Sequence, residues 1–464
     1  MAAPKEVGTF RFTAPLILGN MINPLNSTML ATSIVSICHS FHQSLGNGAL
    51  LIVPLYLTSA IAQPLMGRLC DVFSARKINI TGFVIIFISA LIGIFAKNFE
   101  SLVLSRILLG LGSSAAYPSG MSLIRQRYAS MNIGVPGIIL GIIATSGQAM
   151  MAVGPFLGGI LVENFGWKGI FFVNIPITII GLLMSAHKKH DFEKDMQQKN
   201  ISFKKVFFDL DPLGLLSFAA FLFILLLTLM YPDHLLISIP LLIASLLILI
   251  QLELKHQLPF INVRLLANNL LLNTTYLRQI FINFILYLVV YGLPQWIEQA
   301  KNIPPSQVGI LMLPLSISAI LTSLYISRRR NYIIQLLTGT SFILTASIVL
   351  FFLRADSTIY LFSGITILIG SAIGLLSTAN QSTLYAVAPE GQVGISFGLY
   401  RTLGYLGAIL AGSRLKHEFN HGANDSGLHI MATYALVSCM LIILFILPVY
   451  RKHYLDKRKN SIIT

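Results

Sequence analysis

The sequence predicts an all-α integral membrane protein whose fourteen transmembrane helices form two six-helix bundles with an extra helix pair between them. Three observations carry that prediction. Of 464 residues, 55% are hydrophobic and only 11% charged, whereas a soluble domain needs about a quarter charged residues to keep its surface in water. Apolar runs of roughly 20 residues, the length that crosses a bilayer core, recur from Phe12 to Val449 with short polar breaks. Lys and Arg collect on alternate breaks, the bias that marks cytoplasmic loops.

The first six runs cover 12–37, 48–68, 79–97, 101–124, 135–162 and 169–187. The longest polar stretch, Lys188 to Asp209, separates them from two shorter runs, 212–231 and 235–252. Six more follow at 270–296, 304–326, 332–353, 358–380, 392–413 and 428–450. This order divides the chain into an N-terminal bundle (1–187), a loop with two inserted helices and a linker (188–269), and a C-terminal bundle with a basic tail (270–464).

With the N-terminus inside, Arg68, Arg76, Lys77, Arg125, Arg127, the lysines of the central loop, Arg328 to Arg330 and the tail from Arg451 to Lys459 are all cytoplasmic. A missed span would scramble this pattern, so both termini are expected inside. The formal charge of +15 is then topology and not a nucleic-acid footprint. The first run is longer than a signal-peptide core, so no cleaved leader is expected. Cys38, Cys70 and Cys439 lie far apart and give neither a disulfide framework nor a metal site. The histidines, such as His39, His42, His187, His190 and His417, read as solvated. No phosphate loop of the Gly-x-x-x-x-Gly-Lys type occurs, which excludes a built-in ATPase. No cofactor or metal is expected, and the chain does not read as an enzyme.

An internal repeat is visible. The fifth span carries Gly141-x-x-x-Thr145-x-Gly147 and the thirteenth Gly398-x-x-x-Thr402-x-Gly404, an offset of 257 (404 − 147). The same offset sets Asn26 of the first span on Asn283 of the ninth. Between spans two and three the chain reads Gly67-Arg68-Leu69-Cys70-Asp71-Val72-Phe73-Ser74-Ala75-Arg76-Lys77. Asp71 at a helix N-terminus with cations beside it suits a cytoplasmic latch, or an ordinary positive-inside loop. Span four carries Arg106-x-x-x-Gly110-x-Gly112 with Tyr117 and Pro118, and span five ends in Gly154-Pro155-Phe156-Leu157-Gly158-Gly159. Its glycines permit close helix approach and Pro155 a bend.

These elements, in this order, resemble the major facilitator superfamily and within it the fourteen-span drug:proton antiporter branch. The loop looks like the superfamily signature Gly-x-Leu-x-Asp-x-x-Gly-Arg-Lys, and Gly-Pro-x-x-Gly-Gly looks like the antiporter element. The resemblance implies gating roles for Gly67, Asp71, Arg76 and Lys77. It also implies a cavity seal at Gly154, Pro155, Gly158 and Gly159, and a role for Arg106 in tuning a proton-binding carboxylate. The bare sequence also allows Arg106 to reach the interface.

The sequence departs from that pattern. Asn26 stands where the branch usually has an acid, Ser74 where it has glycine and Leu109 where it often has glutamine. None of the 17 acids lies deep in a span. Glu298, at the outer end of span nine, is the best titratable candidate, although it reads more simply as a solvated loop residue. Arg106, Arg278 and Arg401 are the arginines within spans, and any that face a cavity would favour anionic cargo. Polar stripes mark the cavity lining: Asn20, Asn23, Asn26 and Ser27 on span one, and Asn283, Tyr287, Tyr291 and Gln295 on span nine. The same stripes also suit hydrogen bonding within each bundle. Arg106, Tyr117 and Arg401 complete the expected site, and Trp296 reads as a lining residue or an interfacial anchor.

The function expected is secondary active export of small organic molecules by alternating access, driven by protons. The cargo would be drug-like compounds or an anionic metabolite such as a carboxylate chelator. A proton-coupled importer of the same fold, or a receptor that has lost transport, is the alternative. Expected partners are the small-molecule substrate, protons and membrane lipid, with no nucleic acid and a monomeric chain in a bacterial plasma (inner) membrane.

Overall fold

A computed structural model describes residues 9–131, 137–186, 211–256, 259, 261, 263–327, 331–388 and 393–463. Among these residues there is no strand. The helices are α1 (Thr9–Ala31), α2 (Ile34–Ser40), α3 (Ala49–Val72), α4 (Ala75–Ile94), α5 (Phe99–Ser113), α6 (Ala116–Ser130), α7 (Gly137–Phe165), α8 (Gly169–Phe172) and α9 (Asn174–Ala186). There follow α10 (Pro212–Met230), α11 (Leu235–Lys255), α12 (Val263–Asn268), α13 (Leu270–Ala300), α14 (Pro305–Ser327), α15 (Tyr332–Phe352), α16 (Ile359–Val387), α17 (Val393–Glu418) and α18 (Asp425–Ile463).

Among the described residues, 11 segments are long and apolar enough to cross a membrane. The other three expected spans fall on α1, α7 and α17. Asn20, Asn23 and Asn26 lower the hydropathy of α1, and Arg401, Arg414 and Lys416 that of α17. These helices pay this polarity because they face protein: α1 runs along α7, and α17 runs along α13 and α3.

Polar caps fix where helices begin. Asn98 accepts from the Ser101 N–H at 2.9 Å to start α5, and Asp211 accepts from Gly214 at 2.9 Å to start α10, with Pro212 behind it. Ser74 caps α4 by accepting from Lys77 N–H at 3.4 Å. Ser74 therefore does a helix-starting job at the position where the family's signature loop usually carries glycine.

Close helix packing rests on glycine, and it reveals the repeat. A Cβ built on Gly110 would meet the Leu55 carbonyl oxygen at 2.6 Å and Thr58; one built on Gly370 would collide with the Leu315 carbonyl oxygen and Ser318. Each member of the second set lies 260 residues after its counterpart in the first (315 − 55, 318 − 58, 370 − 110). Gly147 packs on Asn20 and Pro24, and Gly407 packs on Ile280 and Phe284, again 260 apart. The offset of 257 read from the glycine–threonine match is thus displaced by three residues, nearly one helical turn. At 260, Asn283 corresponds to Asn23 and not to Asn26.

The helices have a basic end, at Val72, Ala75, Ser130 and Pro212, and a far end, at Gly48, Phe165, Ala300 and Glu418. At the far end the first half (α1–α9) closes directly on the second (α13–α18). A Cβ at Gly159 would strike the Pro305 carbonyl, and one at Gly309 would lie 2.6 Å from the Pro155 oxygen. A Cβ built on Gly412 would lie 2.7 Å from Val53, and Ser44 Oγ donates to Asn420 Oδ1 at 2.9 Å. The inserted pair covers one flank, with Phe218 and Leu222 of α10 packed on Ala60, Tyr405 and Leu406. α11 turns Leu236 and Ile237 outward, as a lipid-facing helix does. Asp211 and Glu253, expected at span ends, are both buried where α10 and α11 meet, near Gly214.

Gly110→Ala and Gly370→Ala should each lower thermal stability by about 1–3 kcal/mol, the range for overpacking a tight contact. Gly370→Ala should be the worse, because its contact is the closer. Melting of the purified variants measures this, and a neutral Gly370→Ala would contradict the packing.

Candidate functional site

Between the halves, at mid-height and reaching toward the basic end, lies a cavity of about 290 Å³. Six pairs of its lining residues sit 260 apart: Gly19 and Gln279, Asn23 and Asn283, Ser27 and Tyr287, Gln63 and Ser323, Ser113 and Ile373, Tyr117 and Ser377. The cavity is therefore the place where the two repeats face each other.

Of the residues expected to line it, Asn20, Asn23, Tyr117, Asn283, Tyr287 and Arg401 do. Asn23 Nδ2 donates to Ser113 Oγ at 2.9 Å and to Ser59 Oγ at 3.3 Å, and Ser27 donates to its carbonyl oxygen. Asn20 donates to Ser146 at 3.3 Å. Arg401 lays its guanidinium 3.8 Å over the Tyr117 ring, across the two halves. Tyr405 donates to Gln63 Oε1 at 2.9 Å, also across the halves.

Asn26, Arg106, Tyr291 and Gln295 do not line it. Asn26 and Asn174 exchange amide hydrogen bonds at 2.6 and 2.7 Å, a closed pair inside the first half. Gln295 is buried and donates to the Tyr291 carbonyl at 2.8 Å. Tyr291 seals the space above the cavity: its hydroxyl lies 3.2 Å from that of Tyr56, its ring stacks on Tyr287, and Tyr56 packs on Tyr287 at 4.9 Å. Arg106 is buried beside this group, donates from Nε to the Leu51 carbonyl at 2.9 Å and leaves Nη2 without a partner. It neither lines the cavity nor reaches the interface.

Arg278 is a structural residue. It donates to Asn380 at 2.9 Å, the Phe445 carbonyl at 2.7 Å and Thr275 at 3.0 Å. Trp296 is fully buried, stacks on Phe362 and donates to Asp425 at 3.1 Å, so it neither lines the cavity nor anchors at the surface. Of the three span arginines, Arg401 alone enters the cavity, and among the described residues no acid lines it. The sequence reading missed Gln63, Gln279, Gln381, Tyr400 and Tyr405; the 260 offset would have found Gln63 and Gln279 from their partners.

The expected gating residues lie elsewhere. Gly154 packs on Thr28, and a Cβ built on Gly158 would lie 2.7 Å from the Met29 carbonyl oxygen, both against α1, whereas Pro155 and Gly159 meet α14 in the far-end closure. Arg76 donates to the carbonyls of Ser185 and Ala186 at 2.8 Å, tying α4 to the end of α9. A Cβ built on Gly67 would meet Pro118 at 3.8 Å, an ordinary contact, and Lys77 is exposed. The side chains of Arg68 and Asp71 lie outside the described residues, but Asp71 belongs to the last turn of α3, not to a helix N-terminus as expected; Ser74 caps α4. Glu298 is not a solvated loop residue: it borders a second cavity, at the far end, with Val35, Asn302 and His421, and its Oε2 is buried with no partner.

The sequence profile of the Major Facilitator Superfamily matches residues 16–412. The chain belongs to this family. It is a multi-pass integral membrane protein of a transporter family. It is 32% identical over 86% of its length to YwoD of Bacillus subtilis (strain 168), an uncharacterized MFS-type transporter, covering 88% of that protein. It is 26% identical over 84% of its length to the riboflavin transporter RibZ of Clostridioides difficile (strain 630), covering 83% of it. With the multidrug efflux pump SdrM of Staphylococcus aureus (strain N315) it shares 24% identity over 93% of this chain and 95% of that one. A crystal structure of a mutant nucleoside transporter NupG superposes on 94% of the chain and 99% of its own with TM-score 0.66 at 13% identity, a likeness of fold.

Asn26→Ala breaks the amide pair and strands Asn174. It should lower stability by about 1–3 kcal/mol yet leave solute affinity within about twofold, whereas Asn283→Ala should weaken binding. Equal loss of affinity in both would contradict this division.

Proposed function

We propose that this protein is a proton-driven exporter of small organic molecules, of the fourteen-span drug:proton antiporter branch, working as a monomer by alternating access. The single observation that carries this reading is a mid-height cavity between pseudo-symmetric halves, packed shut at one end by backbone contacts at glycine. Such a cavity serves both faces in turn if the halves rock about it. The moving units are 1–187 and 270–464, with 188–269 as a flanking addition. The basic end is the cytoplasmic face by its charge, so the far-end closure corresponds to an inward-facing state in a bacterial plasma membrane. The named activities of RibZ and SdrM support organic cargo. Drug-like solutes and anionic metabolites remain the two cargo classes.

For coupling, Glu298 replaces the missing acid of the first span. Opening the far end would solvate its carboxylate; closing it leaves an oxygen without a donor, which a bound proton would relieve. Lys301, one turn along the helix, donates to the Ala355 and Ser357 carbonyls, Asp425 accepts from Trp296 and from the Ala355 N–H at 3.3 Å, and His421 borders the same cavity as Glu298.

Proteoliposomes with an imposed pH gradient test the reading against a panel of organic solutes. Uphill movement of at least one solute toward the face opposite the basic end is expected; movement of none, with tight binding of one, would favour a receptor, and uphill movement the other way an importer. Glu298→Gln should abolish gradient-driven uptake into inverted vesicles and leave solute binding within about twofold. Full gradient-driven transport by this variant would remove Glu298 from coupling.

A further inference from the structure

Arg401 differs from the other span arginines in having no hydrogen-bond acceptor among the described residues. Arg278 spends its donors on three protein acceptors, and Arg106 has the Leu51 carbonyl. Arg401 makes no hydrogen bond or ion pair within the described residues; its contact is the Tyr117 ring under its face. A guanidinium held by its face keeps its N–H donors in the plane, at its edges, which is the geometry that forks onto two oxygens of a carboxylate or phosphate. Among the described residues, the lining set that surrounds it contains amides, hydroxyls and rings but no carboxylate. A cationic solute would meet an uncompensated like charge there and no counter-charge.

The cation also breaks the symmetry. The position 260 before Arg401 is Gly141, and those before Tyr405 and Tyr287 are Thr145 and Ser27. Charge and aromatic surface are therefore gathered on the second half, beside Tyr117. Tyr287 and Tyr405 both lie within electrostatic reach of Arg401, and Tyr405 packs at 5.7 Å on Tyr56. Flat rings beside an anion-reading fork suit one kind of solute.

We infer that the cavity selects planar aromatic organic anions, with Arg401 taking the oxyanion bidentately and Tyr117, Tyr287 and Tyr405 bounding the ring. This rests on the cavity being the substrate site of the proposed transporter and narrows its two cargo classes to one. A stacked Arg401 that merely held the halves together would have no preference for solute charge.

The test is equilibrium binding to the purified full chain, read by fluorescence anisotropy, with two dyes on the same xanthene ring: fluorescein, an anion, and tetramethylrosamine, a cation. Wild type should bind fluorescein at least about tenfold more tightly. Arg401→Gln should weaken fluorescein by about 10- to 100-fold, the value of a charge-assisted fork, while leaving tetramethylrosamine unchanged or tighter; Arg401→Lys should recover part of the loss. Thermal melting of each variant separates lost binding from lost folding. Failure of fluorescein to bind, a preference for the cation, or equal fluorescein affinity in Arg401→Gln overturns the inference. None of these outcomes depends on transport, so the transporter reading stands or falls separately in proteoliposomes.

Discussion

Backbone-to-backbone approach at glycine is the constraint on which this molecule depends. In lipid no hydrophobic force drives helices together, so association relies on close packing and on satisfied polar groups. Gly110 on Leu55, Gly370 on Leu315 and Gly407 on Ile280 bring helix backbones so close that an added Cβ would collide, and Gly147 packs more loosely on Asn20 and Pro24. Because the same contacts recur 260 residues later, each half is the same bundle. Two such bundles leave a shared space between them, and the cavity lining inherits the repeat pair by pair.

The closure at the far end uses the same device across the seam. Gly159 against Pro305 and Gly309 against Pro155 bring α7 and α14 together backbone to backbone, with Val308 and Met312 buried in the core beside them. Glycine at these two crossings leaves little bulk between the helices, which suits a rocking motion. Above the cavity the Tyr56–Tyr291 hydroxyl contact adds a polar bridge across the same seam. Arg106 sits beside that bridge with a donor unspent. Symmetry sets the scaffold, and the departures from it give the cavity its chemical character: a cation and three of its four tyrosines on one side, Tyr117 on the other, and amides on both.

Much of this was legible in the sequence, because lipid leaves few options. Apolar runs of bilayer length and the Lys/Arg alternation gave every span in order, and the motif set pointed to the superfamily. The exact repeat offset was not legible: glycine and threonine are dense enough in spans five and thirteen for a match three residues out of register to look convincing. That slip attached Asn283 to Asn26, which the fold buries against Asn174, instead of to Asn23. The polar stripe on α13 also overreached. From Asn283 to Gln295 the helix climbs about 18 Å at 1.5 Å per residue, farther than the cavity extends, so its upper members serve the seam and the second half. Whether an arginine is spent on its own bundle, as Arg278 is, depends on partners 102 and 167 residues away in sequence, which periodicity cannot supply.

The central claim is that two repeats close alternately around one cavity. Paired spin labels test it most directly, one pair at the far end on Asn164 and Asp356, the other at the basic end on Ser130 and Tyr385, with distances recorded by double electron–electron resonance in liposomes over a range of pH and solute. The account predicts two distance populations in each pair that exchange reciprocally, the far-end distance lengthening as the basic-end distance shortens. Distances that stay fixed under all conditions, or that lengthen together at both ends, would contradict it.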